Sequence, residues 1–353
     1  MSRHIRVGIT HGDMNGIGYE VIIKALDDEL MPELFTPVIF GSDKAMAFYR
    51  KTLGCGELRV RRVASAAEAS DNAVNLVDVM TEDVKVNPGV ADEAAGHAAL
   101  LALEAACDAL EAGEIDVLVT APIDKNTIHG EGFDFPGHTE YLEAKFRSEE
   151  DADGGKALMI LFNEMLRVAL VTTHLPVSKI AEHITAASVT DTVERFDGSL
   201  RRDFRCERPR IAVLGLNPHC GDHGIAGDED DTVIRPAVDA LRERGIMAFG
   251  PYAADGFFGS GAYRKFDGVV AMYHDQGHIP LKVKGFEYDR QNGKWKAVAG
   301  INVTLGLPII RASVDHGTGF GHAGDGNANE LSLLNSIAYA SAIAQYREKH
   351  KEG

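Results

Sequence analysis

The sequence predicts an α/β protein with mostly parallel sheet. Three observations carry the prediction. Short β-branched and apolar runs recur along the chain, helical patterns separate them, and the runs are apolar almost throughout, as strands covered on both faces must be. Ile5–Thr10 is the first run and ends in the glycine-rich turn His11-Gly-Asp-Met-Asn-Gly-Ile-Gly18. A helical pattern follows from about Ile17 to Leu26. Pro37–Phe40 reads as a second strand, and Ser42 as the cap of a helix through Leu53, because its hydroxyl can accept from first-turn N–H groups. Ala94–Glu111 is an alanine-rich helix closed by Gly113, and Ile115–Thr120 a near-continuous β-branched strand. Leu158–Leu161, Arg167–Thr172, Ile211–Leu214, Val269–Met272 and Pro308–Arg311 repeat the strand pattern, and Ala328–Gln345 reads as a closing helix. Asn292-Gly293 is a type I′ turn signal between Phe286–Arg290 and Lys294–Val298, which predicts a protruding hairpin carrying Trp295, the only tryptophan. Glu149–Gly155 reads as an acidic, solvated loop.

Composition bounds the function. The chain has 353 residues, 45% of them hydrophobic and 25% charged, enough for two domains or one large one. Its formal charge of −17 argues against sequence-independent binding of nucleic acid or of an anionic membrane. No run approaches the roughly 18 apolar residues of a membrane span. The start runs straight into a strand pattern with no signal-peptide core, so a cytoplasmic protein is expected. Cys55, Cys107, Cys206 and Cys220 form no Cys-x-x-Cys pair and read as free thiols, with Cys107 packed in a helix.

In α/β proteins ligands collect at the carboxyl ends of strands. Thr173-His174-Leu-Pro176 follows one predicted strand. Gly215-Leu-Asn-Pro-His219-Cys-Gly-Asp-His223 follows another, and Tyr273-His274-Asp-Gln-Gly-His278 a third. A lone histidine after a strand is usually structural. Three at one edge point to a metal site, because neutral imidazole suits zinc and related cations and three ligands leave a position open. His223 and His278 compete as ligands and rank below these three; Asp222 and Asp275 are candidates to orient the imidazoles.

A second set suits an anion. Lys282 follows the His274 loop, Asn302 lies in Gly300-Ile-Asn-Val-Thr304, Arg311 ends a predicted strand, and His138 and Thr139 open a helix in Phe135-Pro-Gly-His-Thr-Glu140. A helix start with Lys and Arg is what phosphate or carboxylate needs. The turn at Gly12, Gly16 and Gly18 is neither G-x-G-x-x-G nor a P-loop, which argues against a Rossmann dinucleotide site. The stretch from Asp315 to Asn329 is glycine-rich, and its freed amides suit an adenosine or a phosphate.

Together, His11-Gly-Asp…Gly-Ile-Gly18, Phe135-Pro-Gly-His-Thr-Glu-Tyr141, Thr172-Thr-His-Leu-Pro176, Gly215-Leu-Asn-Pro-His219, Met272-Tyr-His-Asp-Gln-Gly277 and Gly300-Ile-Asn-Val-Thr-Leu-Gly-Leu-Pro308…Arg311-Ala-Ser-Val-Asp-His-Gly-Thr318 resemble the 4-hydroxythreonine-4-phosphate dehydrogenase family of pyridoxal 5′-phosphate (vitamin B6) biosynthesis. The resemblance implies two α/β/α domains around a cleft, of isocitrate/isopropylmalate dehydrogenase type and not a Rossmann fold. It implies a first, cofactor-side domain of residues 1–127 plus 303–353. The second, metal and dimer side, is 128–302, with the hairpin inserted at 286–298. It implies a homodimer with the active site shared between subunits, NAD or NADP as cofactor, and a divalent metal (zinc, magnesium or cobalt) on His174, His219 and His274. Substrate contacts would be His138, Thr139, Lys282, Asn302 and Arg311, with Asp255 and Lys282 as catalytic residues and Gly12, Asp325 and Asn329 on the cofactor. The implied reaction is NAD-dependent oxidation and decarboxylation of 4-phosphooxy-L-threonine. Threonate or erythronate 4-phosphate is the alternative substrate. A metal-dependent hydrolase or lyase and a phosphate-ligand binding protein are rival readings. Met14, Asn15 and Tyr19 depart from the family's usual Gly-Asp-Pro-Ala-Gly-Ile-Gly-Pro-Glu.

Overall fold

The computed structural model describes residues 4–351 except 29, 81, 83, 131, 148–155, 290, 292, 293 and 299. The predicted Glu149–Gly155 loop and the Asn292-Gly293 turn lie outside the described residues. Two compact units are present, Met1–Ala157 with Glu287–Gly353, and Leu158–Phe286. No helix among the described residues is long and apolar enough to cross a membrane.

The strands in chain order are β1 (Arg6–Thr10), β2 (Thr36–Gly41), β3 (Val60–Val63), β4 (Val74–Asp78), β5 (Val117–Thr120), β6 (Leu158–Phe162), β7 (Arg167–Leu170), β8 (Ile211–Leu214), β9 (Ala248–Tyr252), β10 (Gly268–Ala271), β11 (Phe286–Asp289), β12 (Lys294–Val298), β13 (Ile301–Leu305) and β14 (Arg311–Val314). In the first unit they run β3-β4-β2-β1-β5-β14-β13, parallel except for antiparallel β13 on β14. In the second they run β6-β7-β10-β8-β9, parallel except for antiparallel β6 on β7. The predicted hairpin is present as the two-stranded pair β11-β12.

The predicted elements form for the predicted reasons. Ser42 Oγ accepts from Ala45 N at 3.2 Å, and left-handed Gly54 closes that helix. The helix Glu93–Glu111 starts on Asp92, whose carboxylate accepts from Ala95 N at 2.7 Å. Its alanines and Leu103 pack with Phe40, Leu118 and Phe133 in the first unit's core. The second unit's core joins Val168, Leu214 and Ala271 to Phe257 and Leu281.

Three expectations differ from the structure. The predicted strand Pro308–Arg311 is displaced towards the C-terminus: β14 is Arg311–Val314, and of the predicted residues before it Ile310 contributes its carbonyl, which accepts from Leu118 N at 3.0 Å. Residues 128–157 and 287–302 belong to the first unit, not the second, since Ile128, Phe133, Tyr141 and Leu142 pack in its core and β13 pairs with β14. The closing helix spans Leu331–Lys351, starting and ending later than Ala328–Gln345.

The unusual residues of the first turn have visible uses. Tyr19 stacks between His11 and Tyr49, with ring centroids 5.0 and 5.6 Å away. Gly41 makes room, since a Cβ there would lie 2.5 Å from Tyr19 Oη. Asn15 Nδ2 donates to Val90 O and Asp92 Oδ2, each at 2.9 Å, and its Oδ1 accepts from Asn87 N at 2.7 Å. Met14 O accepts from Tyr49 Oη at 2.8 Å.

Burial holds the His11 pKa down at about 4 from 6.5. Over that interval the unfolded chain takes up a proton that native His11 refuses. Stability therefore falls as the pH drops through that interval, by up to about 3 kcal/mol for this group. Thermal midpoints at about pH 7.5 and about pH 5 should differ accordingly, and His11→Gln should narrow the gap. An unchanged gap in the variant would remove His11 from the account.

Candidate active site

Strands β7, β10 and β8 are neighbours and parallel, so their carboxyl ends lie at one edge of the second unit's sheet. The segments leaving that edge carry His174, His219 and His274. The structure brings His174 and His274 together, with ring centroids 6.0 Å apart. His274 opens the helix His274–Gly285, and its Nδ1 lies 2.8 Å from Asp275 Oδ1. An ionised carboxylate only accepts, so Nδ1 carries the proton and the Nε2 lone pair is left for a ligand. His278 stacks on His274 at 3.6 Å and bonds its carbonyl through Nδ1 at 2.9 Å. Burial and the neighbouring His274 hold its pKa down at about 4, which suits a support for the ring beside it.

His219 is exposed and sits in an uncommon turn. His219, Cys220, Asp222 and His223 have φ of 55, 52, 43 and 55°, with Gly221 and Gly224 also positive. Left-handed backbone costs roughly 1–2 kcal/mol per non-glycine residue, so such a run needs strong anchors. Gly221 is required, because a Cβ there would lie 2.2 Å from Gly227 O. Asp230, fully buried, accepts from Leu216 N (2.8 Å), Asn217 N (3.0 Å) and Asn217 Nδ2 (3.0 Å). Burial pushes the Cys220 thiol pKa up, so it is neutral packing. His223 is exposed and 3.9 Å from Asp231. Asp222 N bonds His219 O at 3.3 Å. Among the described residues no three His, Cys, Asp or Glu side chains stand close enough to hold a metal as placed. The fold thus pairs two of the three histidines and anchors the third's turn. Lys282 is half-buried two turns beyond His274, and Asp255 is exposed at the start of the helix Ala254–Gly259.

The first unit holds the second set. Arg311 opens β14, between β5 and β13, and is only 4% exposed. Its guanidinium donates to Thr120 Oγ1 (2.6 and 3.1 Å) and Thr304 Oγ1 (3.3 Å). No carboxylate among the described residues makes a salt bridge to it. Burial lowers its pKa to about 10, against the pull of Glu140. Burial and then the charges of Arg311 and Lys125 push His138 well below 6.5, so its imidazole is neutral at pH 7. His138 and Thr139 form the first turn of the helix His138–Phe146, whose Gly137 cap offers no side-chain bond. First-turn N–H groups therefore remain to bind an anion. Thr139 Oγ1 lies 3.5 Å from Thr304 Oγ1. Asn302, on β13, has a buried Oδ1 with no hydrogen-bond partner. A buried cation satisfied only by hydroxyls, next to a helix start and an orphan amide oxygen, is a cradle for an anionic, hydroxyl-bearing molecule.

Of the expected cofactor residues, Gly12 is buried with φ 68°, and a Cβ there would meet Pro122 O at 2.1 Å, a packing reason for glycine. Asp325 is exposed and Asn329 half-buried in the stretch after Thr318. That stretch is clasped from below: Lys24 Nζ donates to Gly326 O (2.8 Å), Ala328 O (2.7 Å) and Glu20 Oε1 (2.9 Å), and Glu20 Oε1 accepts from Ala328 N (2.7 Å). Sequence reasoning missed this clasp, although Glu20 and Lys24 have i,i+4 spacing. It also missed Asp230, Thr120 and Lys125.

The family described as pyridoxal phosphate biosynthetic protein PdxA matches residues 33–340. The 4-hydroxythreonine-4-phosphate dehydrogenase of Bacteroides thetaiotaomicron is 46% identical over 347 residues, covering 98% of this chain and 91% of the relative. The D-threonate 4-phosphate dehydrogenase of Cupriavidus necator is 38% identical, covering 97% of this chain and 98% of the relative. A solved 4-hydroxythreonine-4-phosphate dehydrogenase from Klebsiella pneumoniae has a TM-score of 0.78 at 34% identity, covering 98% of this chain and 99% of that one. Isocitrate dehydrogenase from Methylococcus capsulatus, at 11% identity and a TM-score of 0.50 over 98% of this chain and 88% of that one, bears out the fold expectation alone.

Proposed function

Because this chain belongs to the pyridoxal phosphate biosynthetic protein PdxA family, we propose that it oxidises and decarboxylates 4-phosphooxy-L-threonine to 3-amino-2-oxopropyl phosphate. The observation that carries the substrate class is Arg311, a buried cation with hydroxyl partners and no carboxylate salt bridge among the described residues. In this reading Arg311, His138, Thr139 and Asn302 hold the substrate's anionic and hydroxyl groups, and Lys282 adds a second cation. Neutral His138 donates from one ring nitrogen and accepts at the other, which suits a mixed phosphate and hydroxyl ligand.

His174, His219 and His274 fit a divalent metal in donor chemistry, and imidazole favours zinc or cobalt over magnesium. When bound there, the metal supplies Lewis acidity to the C3 oxygen of the substrate. A bound nicotinamide would supply the acceptor for the C3 hydride. Asp255 is the group assigned to take the C3 hydroxyl proton, and Lys282 to stabilise the negative charge that moves towards that oxygen as the carboxylate leaves. The proton lost from the hydroxyl balances the one gained at carbon, so one substrate and one NAD give one NADH and one carbon dioxide. NAD is favoured over NADP because the Asp325 carboxylate lies in the stretch assigned to the adenosine, where it would repel a 2′-phosphate. The enzyme is taken to be cytoplasmic and to act as a homodimer with an active site shared between subunits.

The test is product stoichiometry with purified protein, NAD, zinc and 4-phosphooxy-L-threonine. One carbon dioxide per NADH is expected. NADH without carbon dioxide would reject the decarboxylation, and no NADH would reject the dehydrogenase. Threonate 4-phosphate is the second reading, favoured by the Cupriavidus necator relative's name.

A further inference from the structure

The segments bearing the three histidines leave three different strands, and parallel strands diverge once their ladder ends. In the second unit they are tied together beyond that point. Thr172 donates twice to Met272 O, from Oγ1 at 2.7 Å and from its backbone N at 3.2 Å, which joins the His174 segment to the His274 segment. Met272 N donates to Gln276 Oε1 at 2.7 Å, and Gln276 Nε2 donates to Gly215 O at 2.7 Å. A single side-chain amide therefore joins the residue after β10 to the residue after β8, using its acceptor on one segment and its donor on the other. From Gly215 the tie continues to Asp230, which receives the next two backbone amides, Leu216 N and Asn217 N. Beyond Asn217 the chain turns left-handed at His219.

We infer that Gln276 is a positioning residue that sets the register between the His274 turn and the His219 turn, with Asp230 as its anchor on the far side. The inference rests on the metal reading above and adds residues that touch no metal themselves. An amide is the side chain this job needs. A carboxylate could accept from Met272 N but not donate to Gly215 O, and an amine could do only the reverse. The left-handed turn gives the tie its purpose. A strained run drifts to lower-energy backbone unless both ends are held, and Gln276 and Asp230 hold the end nearer the sheet.

Two measurements on metal-free protein test this. The first is zinc affinity by competition with a chelator, for wild type, Gln276→Glu and Gln276→Leu. The expected result is a 10–100-fold weakening in both variants, as for other residues that orient metal ligands. The second is amide hydrogen exchange over Leu216–His219 without zinc, which should quicken in both variants while the β8 amides stay protected. A merely structural role would lower the melting temperature without this local pattern. Gln276→Glu matches the wild type in size and keeps one bond, so it guards against loss of folding in the leucine variant. Wild-type zinc binding with unchanged affinity and exchange in both variants would overturn the role of Gln276 alone. A wild type that binds no zinc would overturn the metal reading and this inference with it.

Discussion

Arg311→Met should lower kcat/KM by about three orders of magnitude and leave the protein about as stable as it was. The two halves of this expectation have one cause. Arg311 is a buried cation with three bonds to the hydroxyls of Thr120 and Thr304 and no carboxylate salt bridge among the described residues. Taking such a charge out of water costs several kcal/mol, and three bonds from a charged donor, at about 1.5–3 kcal/mol each, roughly offset it. A flexible apolar side chain of similar length removes the desolvation cost and loses those bonds. The substrate's anion loses its buried partner, which accounts for the rate. Melting temperature and steady-state kinetics on the same preparation decide the matter. A large fall in melting temperature with kcat/KM preserved would make Arg311 a structural residue and remove the main support for an anionic substrate. Arg311→Lys keeps the charge but loses the planar fork, and should fall between wild type and methionine.

His219 offers the second large effect, with a built-in control. His219→Ala should abolish turnover and lower bound zinc while leaving the fold intact. Alanine at φ 55° is strained much as histidine is, so stability should barely change. His219→Gly should be equally inactive yet more stable by about 1 kcal/mol, because glycine adopts that backbone freely. Equal melting temperatures for the glycine and alanine variants would show that the left-handed turn is not strained. Unchanged zinc content in both would take His219 out of the metal set.

Legibility in the sequence followed physical scale. Continuous β-branched runs such as Val117–Thr120 gave the strands, and Ser42 and Gly54 gave a helix with both ends, because these are local effects. Val60–Val63 is half exposed, with Arg61 and Arg62 inside it, so β3 has no apolar pattern to read. Ile309 and Ile310 look like a strand since they are apolar, but the paired residues of β14 run from Arg311 to Val314, with only the Ile310 carbonyl before them bonded to β5. The three histidines were found from topology, and topology does place their segments at one sheet edge. The ties between those segments were not legible. Asp230 stands in the acidic run Asp228-Glu-Asp-Asp231, and only the fold shows that it is the buried member of that run. Gln276 lay inside a recognised motif, but which strands its amide would join depends on the order β7-β10-β8. The Arg311 cradle was half legible. Arg311, His138, Thr139 and Asn302 stood out in the sequence, whereas the hydroxyls of Thr120 and Thr304 became partners only once β5, β14 and β13 lay side by side.

The most direct test of the account is a side-by-side measurement of NADH formation at 340 nm with 4-phosphooxy-L-threonine, D-threonate 4-phosphate and D-erythronate 4-phosphate. NAD and zinc would be saturating. The largest kcat/KM is expected with 4-phosphooxy-L-threonine, reduced about a thousandfold in Arg311→Met. Faster turnover of either sugar-acid phosphate would contradict the substrate assignment while keeping the chemistry. No NADH from any of the three would contradict the dehydrogenase reading itself.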